Sequence, residues 1–381
     1  MSQERPIRLA LIGGGPDSFI GPVHCMAALL DRRFVLVAGA FSRDLGRSRE
    51  RGLAWGVDAG RIHADHRELI AAEAKRTDGV EAIAIATPNH SHFAIASAAL
   101  QAGLHVICDK PMTATLEQAR ELAAIANAAP GVFALTYTYA GYPMVREARE
   151  RVAAGSIGRV RKVVVEYPQG WLAQPVEADN PQARWRTDPG QAGAGGCIGD
   201  IGVHALHLLE YVSGLRVEEL CADLARVVPG RRLDDDCNVL LRLADGVPGV
   251  LTASQIATGE RNGLRLRVYG ERAALDWSHD AADALHVLHA DGRRETIFAG
   301  AAAAGGAARG ATRLPAGHPE GFIEAFANLY RDFADAIGGR QELSGSLLPG
   351  ASDGLRSLRF IETAVASHAA RTWLSFEGET L

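Results

Sequence analysis

Lys110 closes the run Val106-Ile107-Cys108-Asp109-Lys110-Pro111, an apolar stretch of strand character. In open α/β sheets ligands bind at the carboxyl ends of the strands, so a lysine there is placed to meet a substrate. Its ammonium can hold a substrate oxygen and stabilise negative charge developing on it. A second chemical group lies in Gly195-Gly196-Cys197-Ile198-Gly199-Asp200-Ile201-Gly202-Val203-His204. Asp200 and His204 are four residues apart, a spacing that puts both on one face of a helix. A histidine titrating near neutrality suits removal of a proton from an alcohol. A neighbouring carboxylate would orient its ring and stabilise the imidazolium. Asp-x-x-x-His alone is a common surface pair; the lysine and the glycines beside it make it a candidate site.

A cofactor loop is legible near the start. Gly13-Gly14-Gly15 follows the apolar run 7–12 and precedes a helical stretch, the context of a dinucleotide-binding turn. Glycine lets the backbone approach a pyrophosphate, and the helix N-terminus favours its charge. Gly13, Gly15, Ser18, Phe19 and Ile20 are expected to line that turn. The spacing is irregular: Ser18 stands where a third glycine is usual, and Gly21 takes that place if three residues are inserted. The second strand ends Ser42-Arg43-Asp44. NAD sites commonly place an acid here, whereas an arginine can accept a 2′-phosphate. Ser42 and Arg43 therefore favour NADP over NAD, and Asp44 keeps NAD open. Thr87, Asn89 and His92 follow the third strand, where ribose and nicotinamide lie, and Asp109 joins Lys110 at the end of the fourth. Together these groups point to a nicotinamide-dependent dehydrogenase.

The elements that would position them read as α/β followed by α+β. Strands at 7–12, 35–41, 80–86, 104–108 and 132–139 alternate with helices at 24–30, 94–102 and 116–129, the last capped by Thr115 or Thr113. That alternation argues for a doubly wound parallel sheet, a Rossmann domain over residues 1–140. Residues 141–381 change texture: a helix near 144–153, then strands at 160–167, 219–227, 239–243, 249–255, 264–269 and 273–277. These predict a large, mostly antiparallel open-faced sheet with helices on one face. The Ala/Gly-rich stretch 299–317 reads as a surface loop, and helices are expected at 322–337 and 354–369.

Bulk properties exclude several classes. The 381 residues carry net charge −5 with scattered basic residues, so nothing proposes a nucleic-acid or membrane-surface partner. Five cysteines, none in a CxxC pair, fit a reducing cytosol better than a disulfide framework. No signal peptide precedes the first strand, and no apolar run approaches the ~20 residues of a membrane span. His24, His63, His66, His90 and His92 do not form a zinc-spaced set, so no metal is expected.

With these motifs in order along nearly the whole chain, the sequence resembles the Gfo/Idh/MocA oxidoreductases, the glucose–fructose oxidoreductase and inositol dehydrogenase group. The anchors are Gly13–Gly15 with His24, Ala86-Thr87-Pro88-Asn89 with His92, Gly103 to Pro111, Trp185-Arg186, and Gly195-Gly196 through Asp200, Gly202 and His204. The resemblance implies Lys110 as catalytic lysine, Asp200 as an orienting or substrate-binding acid and His204 as general acid/base. It implies hydride transfer between a nicotinamide and a sugar, polyol or keto-sugar. It also implies a homodimer or homotetramer built on the C-terminal sheet. Tyr139, Tyr142, Trp171, Trp185, Arg186 and His207 are the substrate-pocket candidates, since aromatic faces pack on sugar rings while polar tips bind hydroxyls. Three departures stand out: Asp109 replaces the usual Glu before Lys-Pro, Pro16-Asp17-Ser18 is an apparent insertion, and His207 stands where Asp is frequent. Two other functions remain open: a glycosidase of the same fold that uses nicotinamide transiently, and a non-catalytic cofactor-binding regulator.

Overall fold

Parallel strands that share an edge bring their carboxyl ends together, and the first part of the chain is built on that rule. A computed structural model describes residues 5–339 and 347–376. The chain divides into two units, one running to Thr138 and including Phe326–Leu355, the other holding Tyr139–Ala325 and the residues from Arg356.

In the first unit β1 (Ile7–Gly13), α1 (Ile20–Leu30), β2 (Phe34–Ala40), α2 (Leu45–Ala54), α3 (His66–Glu73), β3 (Ala82–Ala86), α4 (His92–Gln101), β4 (His105–Cys108), α5 (Leu116–Ala128) and β5 (Phe133–Leu135) follow one another. The sheet order is β2-β1-β3-β4-β5, with every pairing parallel. Strand order reverses between β1 and β3, the switch point where such sheets take ligands. All five residues of β3 are buried, as expected of a strand covered on both faces. Side-chain caps start the helices: Asp44 for α2, Asp65 for α3 and Thr115, rather than Thr113, for α5. The strand expected at 132–139 is only Phe133–Leu135. It is an edge strand whose one partner, β4, ends at Cys108, so the ladder has nothing to continue on.

In the second unit α6 (Pro143–Ala153), β6 (Val160–Pro168), α7 (Pro181–Arg186), α8 (Pro189–Ala192), α9 (Val203–Ser213) and β7 (Val217–Ala225) are followed by β8 (Asp236–Leu243), β9 (Val247–Ser254), β10 (Arg265–Gly270), β11 (Ala273–Ser278), β12 (Ala284–His289), β13 (Arg294–Phe298) and α10 (Gly306–Ala311). The nine-stranded sheet runs β13-β12-β11-β10-β6-β9-β8-β7-β14, where β14 is Leu374–Ser375. Its pairings are antiparallel except β6 with β9. Along β8 the residues Cys237, Val239, Leu241 and Leu243 are buried while Asn238, Leu240 and Arg242 are exposed. That alternation marks one face packed and one face open.

Three differences from the sequence reading are physical. Strands β12 and β13 extend the sheet beyond Trp277. The stretch 299–317 contains α10, because Ala308 and Ala311 are small enough to bury and the Gly305 and Ala307 amides donate to Glu147 Oε2 (2.6 Å) and Glu150 Oε2 (3.0 Å) of α6. Helices α11 (Phe322–Ile337) and α12 (Ala351–Ala370) form where expected, but α12 begins before Gly354. Gly354 is a contact residue: a Cβ there would lie 2.6 Å from Leu135 Cδ1 and 2.7 Å from Met112. Among the described residues no helix is long and apolar enough to cross a membrane.

Candidate active site

The candidate residues of the two units are held by different means. In the first unit the carboxyl ends of β1 to β4 present the glycine loop, Ser42-Arg43, Thr87–Asn89 and Asp109-Lys110 along one edge of the sheet. Gly13 adopts φ +96°, and a Cβ there would sit 2.5 Å from the Ala86 carbonyl oxygen of β3. Gly21 packs directly on the backbone of Gly14, so a side chain at either would drive loop and helix apart. Gly21 thus takes the part of the third glycine, and the inserted residues lie between. Ser18 closes the turn: its amide donates to the Gly15 carbonyl (2.9 Å) and its Oγ accepts from the Gly21 amide (3.1 Å). Such a side-chain-free cradle at the start of α1 fits a dinucleotide pyrophosphate. Phe19 is exposed and Ile20 half-exposed at the rim.

At the end of β2, Asp44 is committed to α2, accepting from the Arg47 amide (2.9 Å), while its own amide donates to Ser42 Oγ (3.2 Å). Arg43 is exposed. Asp17 of the insertion pairs with Arg47 at 2.5 Å, an exposed ion pair of little energetic weight.

Beyond β3, Asn89 is buried, and the Ser91 hydroxyl donates to Thr87 Oγ1 (2.7 Å). His92 is fully buried, with Nε2 2.7 Å from the Thr87 carbonyl and Nδ1 2.8 Å from that of Pro111. Its ring ties the end of β3 to the Lys110-Pro111 turn, and burial lowers its pKa. His92 therefore supports the lysine turn; both ring nitrogens face backbone. Asp109 accepts from the Thr136 hydroxyl (2.8 Å), and its amide donates to the Ile85 carbonyl (2.9 Å). Lys110 is half-buried. Beneath them His24 is fully buried, bonded through Nδ1 to Tyr330 Oη (2.7 Å), and burial pushes its pKa down to about 4.

In the second unit the glycine-rich lead-in forms a π-helical turn, Ile198–Gly202, that runs into α9. A π-turn widens the helix and is frequent at functional sites. Asp200 sits in the π-turn and His204 in the first α-helical turn, a different local geometry from the regular helix the spacing suggested. Asp200 Oδ2 accepts from Gln255 Nε2 (2.8 Å) and pairs with Arg186 Nε at 3.2 Å. The Arg186 guanidinium lies 4.2 Å from the Trp185 ring centroid and 5.9 Å from that of Trp171. Four sequence-expected residues, Asp200, Arg186, Trp171 and Trp185, are thus one half-exposed cluster of charge and indole.

His204 is 9% exposed, its ring edge-on to Tyr139 (centroids 5.2 Å) and Tyr167 (6.4 Å). Tyr139 and Tyr167 are hydrogen-bonded to each other, and Asn262 bridges both: its Nδ2 donates to Tyr139 Oη (3.0 Å), and Tyr167 Oη donates to its Oδ1 (2.8 Å). Gln169 Nε2 donates to Asn262 Oδ1 (2.6 Å), and Gln169 Oε1 accepts in turn from Trp171 Nε1 (3.0 Å). Burial raises the pKa of both phenols, which stay neutral donors and acceptors. Tyr142 is buried with its hydroxyl 2.9 Å from His279 Nε2, and His207 is buried and stacked on Tyr211 (5.6 Å). The sequence reading missed Tyr167, Gln169, Gln255, Asn262 and His279. The trace it could have used is at Gln255: a polar amide in the same period-two register as the apolar Leu251 and Ala253.

Residues 7–137 match the family described as an oxidoreductase family with an NAD-binding Rossmann fold, and residues 145–276 match the Gfo/Idh/MocA C-terminal domain. The uncharacterised oxidoreductase YfiI of Bacillus subtilis is 33% identical over 383 residues, with 98% of each chain covered. An inositol dehydrogenase homologue from Azotobacter vinelandii, solved with NADH and myo-inositol, is similar at TM-score 0.91 and 37% identity, covering 97% of this chain and 98% of its own. A levoglucosan dehydrogenase solved with NADH and levoglucosan is similar at TM-score 0.85 and 26% identity, covering 97% and 99%. This chain belongs to the Gfo/Idh/MocA family of oxidoreductases and carries its NAD-binding Rossmann domain.

Proposed function

We propose that this protein is a nicotinamide-dependent dehydrogenase of a cyclic polyol or sugar, oxidising a ring carbinol to a ketone, or the reverse. The observation that carries the reading is the Arg186–Asp200–Gln255 cluster between two indoles on the chain that also holds His204. Indole faces cover the C–H faces of a sugar ring, and the charged groups bind its hydroxyls. The substrates in the two solved relatives, myo-inositol and levoglucosan, are of this class.

His204 is proposed to take the hydroxyl proton, and Asp200, held by Gln255 and Arg186, to orient the substrate. Lys110 is proposed to stabilise the alkoxide as it forms. The bound nicotinamide supplies a hydride acceptor at its C4. Gly13, Gly15, Ser18, Phe19 and Ile20 are proposed to line the pyrophosphate, with Thr87, Asn89 and Asp109 further along the edge. Ser42 and Arg43 are the side chains at the end of β2 left for the ribose, since Asp44 caps α2. Arg43 suits a 2′-phosphate, while both solved relatives hold NADH. A fluorescence titration with NADH and NADPH decides between them.

The test of function is steady-state cofactor reduction over a panel of inositols, anhydrosugars and aldoses. Net accumulation of reduced nicotinamide supports the proposal. Cleavage of a glycoside without net reduction would instead establish the glycosidase reading. Cofactor binding without turnover on any member would favour the regulator. Assembly through the open sheet face is proposed as well; Leu240 is 51% exposed there, and light scattering on the purified chain reads the oligomer.

A further inference from the structure

We infer that Asp234 is a positioning residue for the segment that carries Asp200 and His204, an inference that rests on the roles proposed for those two. Three successive amides end on this one residue. The Gly196 amide donates to Asp234 Oδ1 (2.7 Å), the Ile198 amide to Oδ2 (2.7 Å), and the Cys197 amide to the Asp234 carbonyl (2.8 Å). Amides at a helix start need acceptors and usually take them from a local side chain. Neither Cys197 nor Gly202 supplies a side-chain cap, so a carboxylate from a distant segment does the work.

The grip reaches the acid directly. The Asp200 amide donates to the Gly196 carbonyl (2.9 Å), so Asp200 hangs from the residue that Asp234 holds. Gly196 admits no Cβ: one built there would run into the Asp234 carbonyl and lie 2.9 Å from Leu233 Cβ. The same short segment fixes the other side of Asp200. The Gln255 amide donates to the Asp235 carbonyl (2.9 Å), and the Gln255 side chain donates to Asp200 Oδ2 (2.8 Å). Asp234 is 8% exposed, and its anion is stabilised by two amides and the start of a helix. Burial raises its pKa, and the amides of Ile198 and Gly196 pull the other way.

Asp235 is the neighbouring comparison: its carbonyl holds the Gln255 amide and is kept in a side-chain substitution, while its carboxylate is bonded elsewhere. It is 1% exposed and accepts from two amides, those of Val227 (2.8 Å) and Val228 (2.9 Å), and from the buried Arg231 guanidinium (3.2 Å), so its carboxylate serves the loop before β8. Asp234→Asn keeps size and one acceptor and turns an NH2 group against an amide N–H. It is expected to lower kcat on the order of 10- to 100-fold, because small misplacements of catalytic groups cost that much. It should also displace the acid limb of the kcat–pH profile and leave NADH affinity unchanged. Asp235→Asn should lose at least as much thermal stability, since it also strips the buried Arg231 of its partner, and keep the wild-type kcat and pH profile. Wild-type kcat and pH profile in Asp234→Asn, or the same changes in Asp235→Asn, would overturn the inference. If Asp234→Asn does not fold, hydrogen exchange on the wild-type protein decides. Amides 196–198 should then exchange as slowly as the interior of α9, and loop-like exchange overturns the inference. His204→Asn separates the two levels. Full turnover there removes the proposed acid/base role, whereas lost turnover there beside a normal Asp234→Asn refutes the positioning alone.

Discussion

In the first unit the candidate cofactor cradle is shaped by backbone, and in the second the cluster around Asp200 is shaped by side chains. At the glycine loop the shape comes from missing atoms: Gly13 beneath Ala86 of β3, and Gly21 against Gly14. Around Asp200 the shape comes from groups brought together by strands and turns far apart in sequence, from Arg186 to Gln255. A ligand common to many enzymes can be held by main-chain geometry, and the variable ligand is left to side chains. The difference sets what substitutions do in each unit.

The largest effects are expected where protons and charge move. His204→Asn should lower kcat by about 10²–10⁴-fold, the usual contribution of a positioned acid/base. Lys110→Ala should cost about 10²–10³-fold, as loss of one stabilising donor does elsewhere. Steady-state kinetics with parallel NADH titrations check both, and undiminished turnover in either would break that assignment. Next comes the cradle: Gly21→Val should weaken NADH binding by roughly 10- to 100-fold, since overpacking costs about 1–3 kcal/mol. Titration by cofactor fluorescence reads it, and unchanged affinity would mean that the loop is not the pyrophosphate site. Arg186→Ala should raise substrate KM about 10-fold or more, the worth of one hydrogen bond to a charged group, with NADH affinity unchanged. A matching loss of cofactor binding would blur the division between the units.

The smallest effect is on stability against pH and belongs to the first unit. His24 is buried with its pKa lowered to about 4, and that of its neighbour His92 is lowered too, with Asp109 pulling both the other way. Below about pH 6.5 the unfolded chain takes up protons that these folded imidazoles refuse. Tm should therefore fall as pH drops from about 6.5 toward 4, then flatten as His24 titrates. His24→Asn should reduce that slope without abolishing it, because His92 remains. An unchanged slope would show that other groups govern acid unfolding.

The same contrast explains what the sequence made legible. Gly13 to Gly15, Lys110 and the Asp200–His204 segment announce themselves because each is a local pattern: a turn after a strand, a charge at a strand end, an acid and a histidine four residues apart. The alternating strands and helices of the first unit follow from periodicity. By contrast Tyr167, Asn262 and His279 meet through sheet register, with β6 paired to β10 and β10 to β11. No spacing along the chain encodes that meeting. His92, Tyr142 and His207 are polar by type, and the structure buries all three, which residue type alone does not announce. Helix α10 stayed hidden because its acceptors, Glu147 and Glu150, lie more than 150 residues away.

The most direct measurement is NAD⁺ reduction by wild-type protein and His204→Asn on a cyclic polyol panel, with NADH affinity determined on the same samples. The account predicts turnover in the wild type, a loss of at least about 100-fold in the variant, and equal NADH affinity in both. Near-wild-type turnover in the variant would contradict the proton-transfer role proposed for His204.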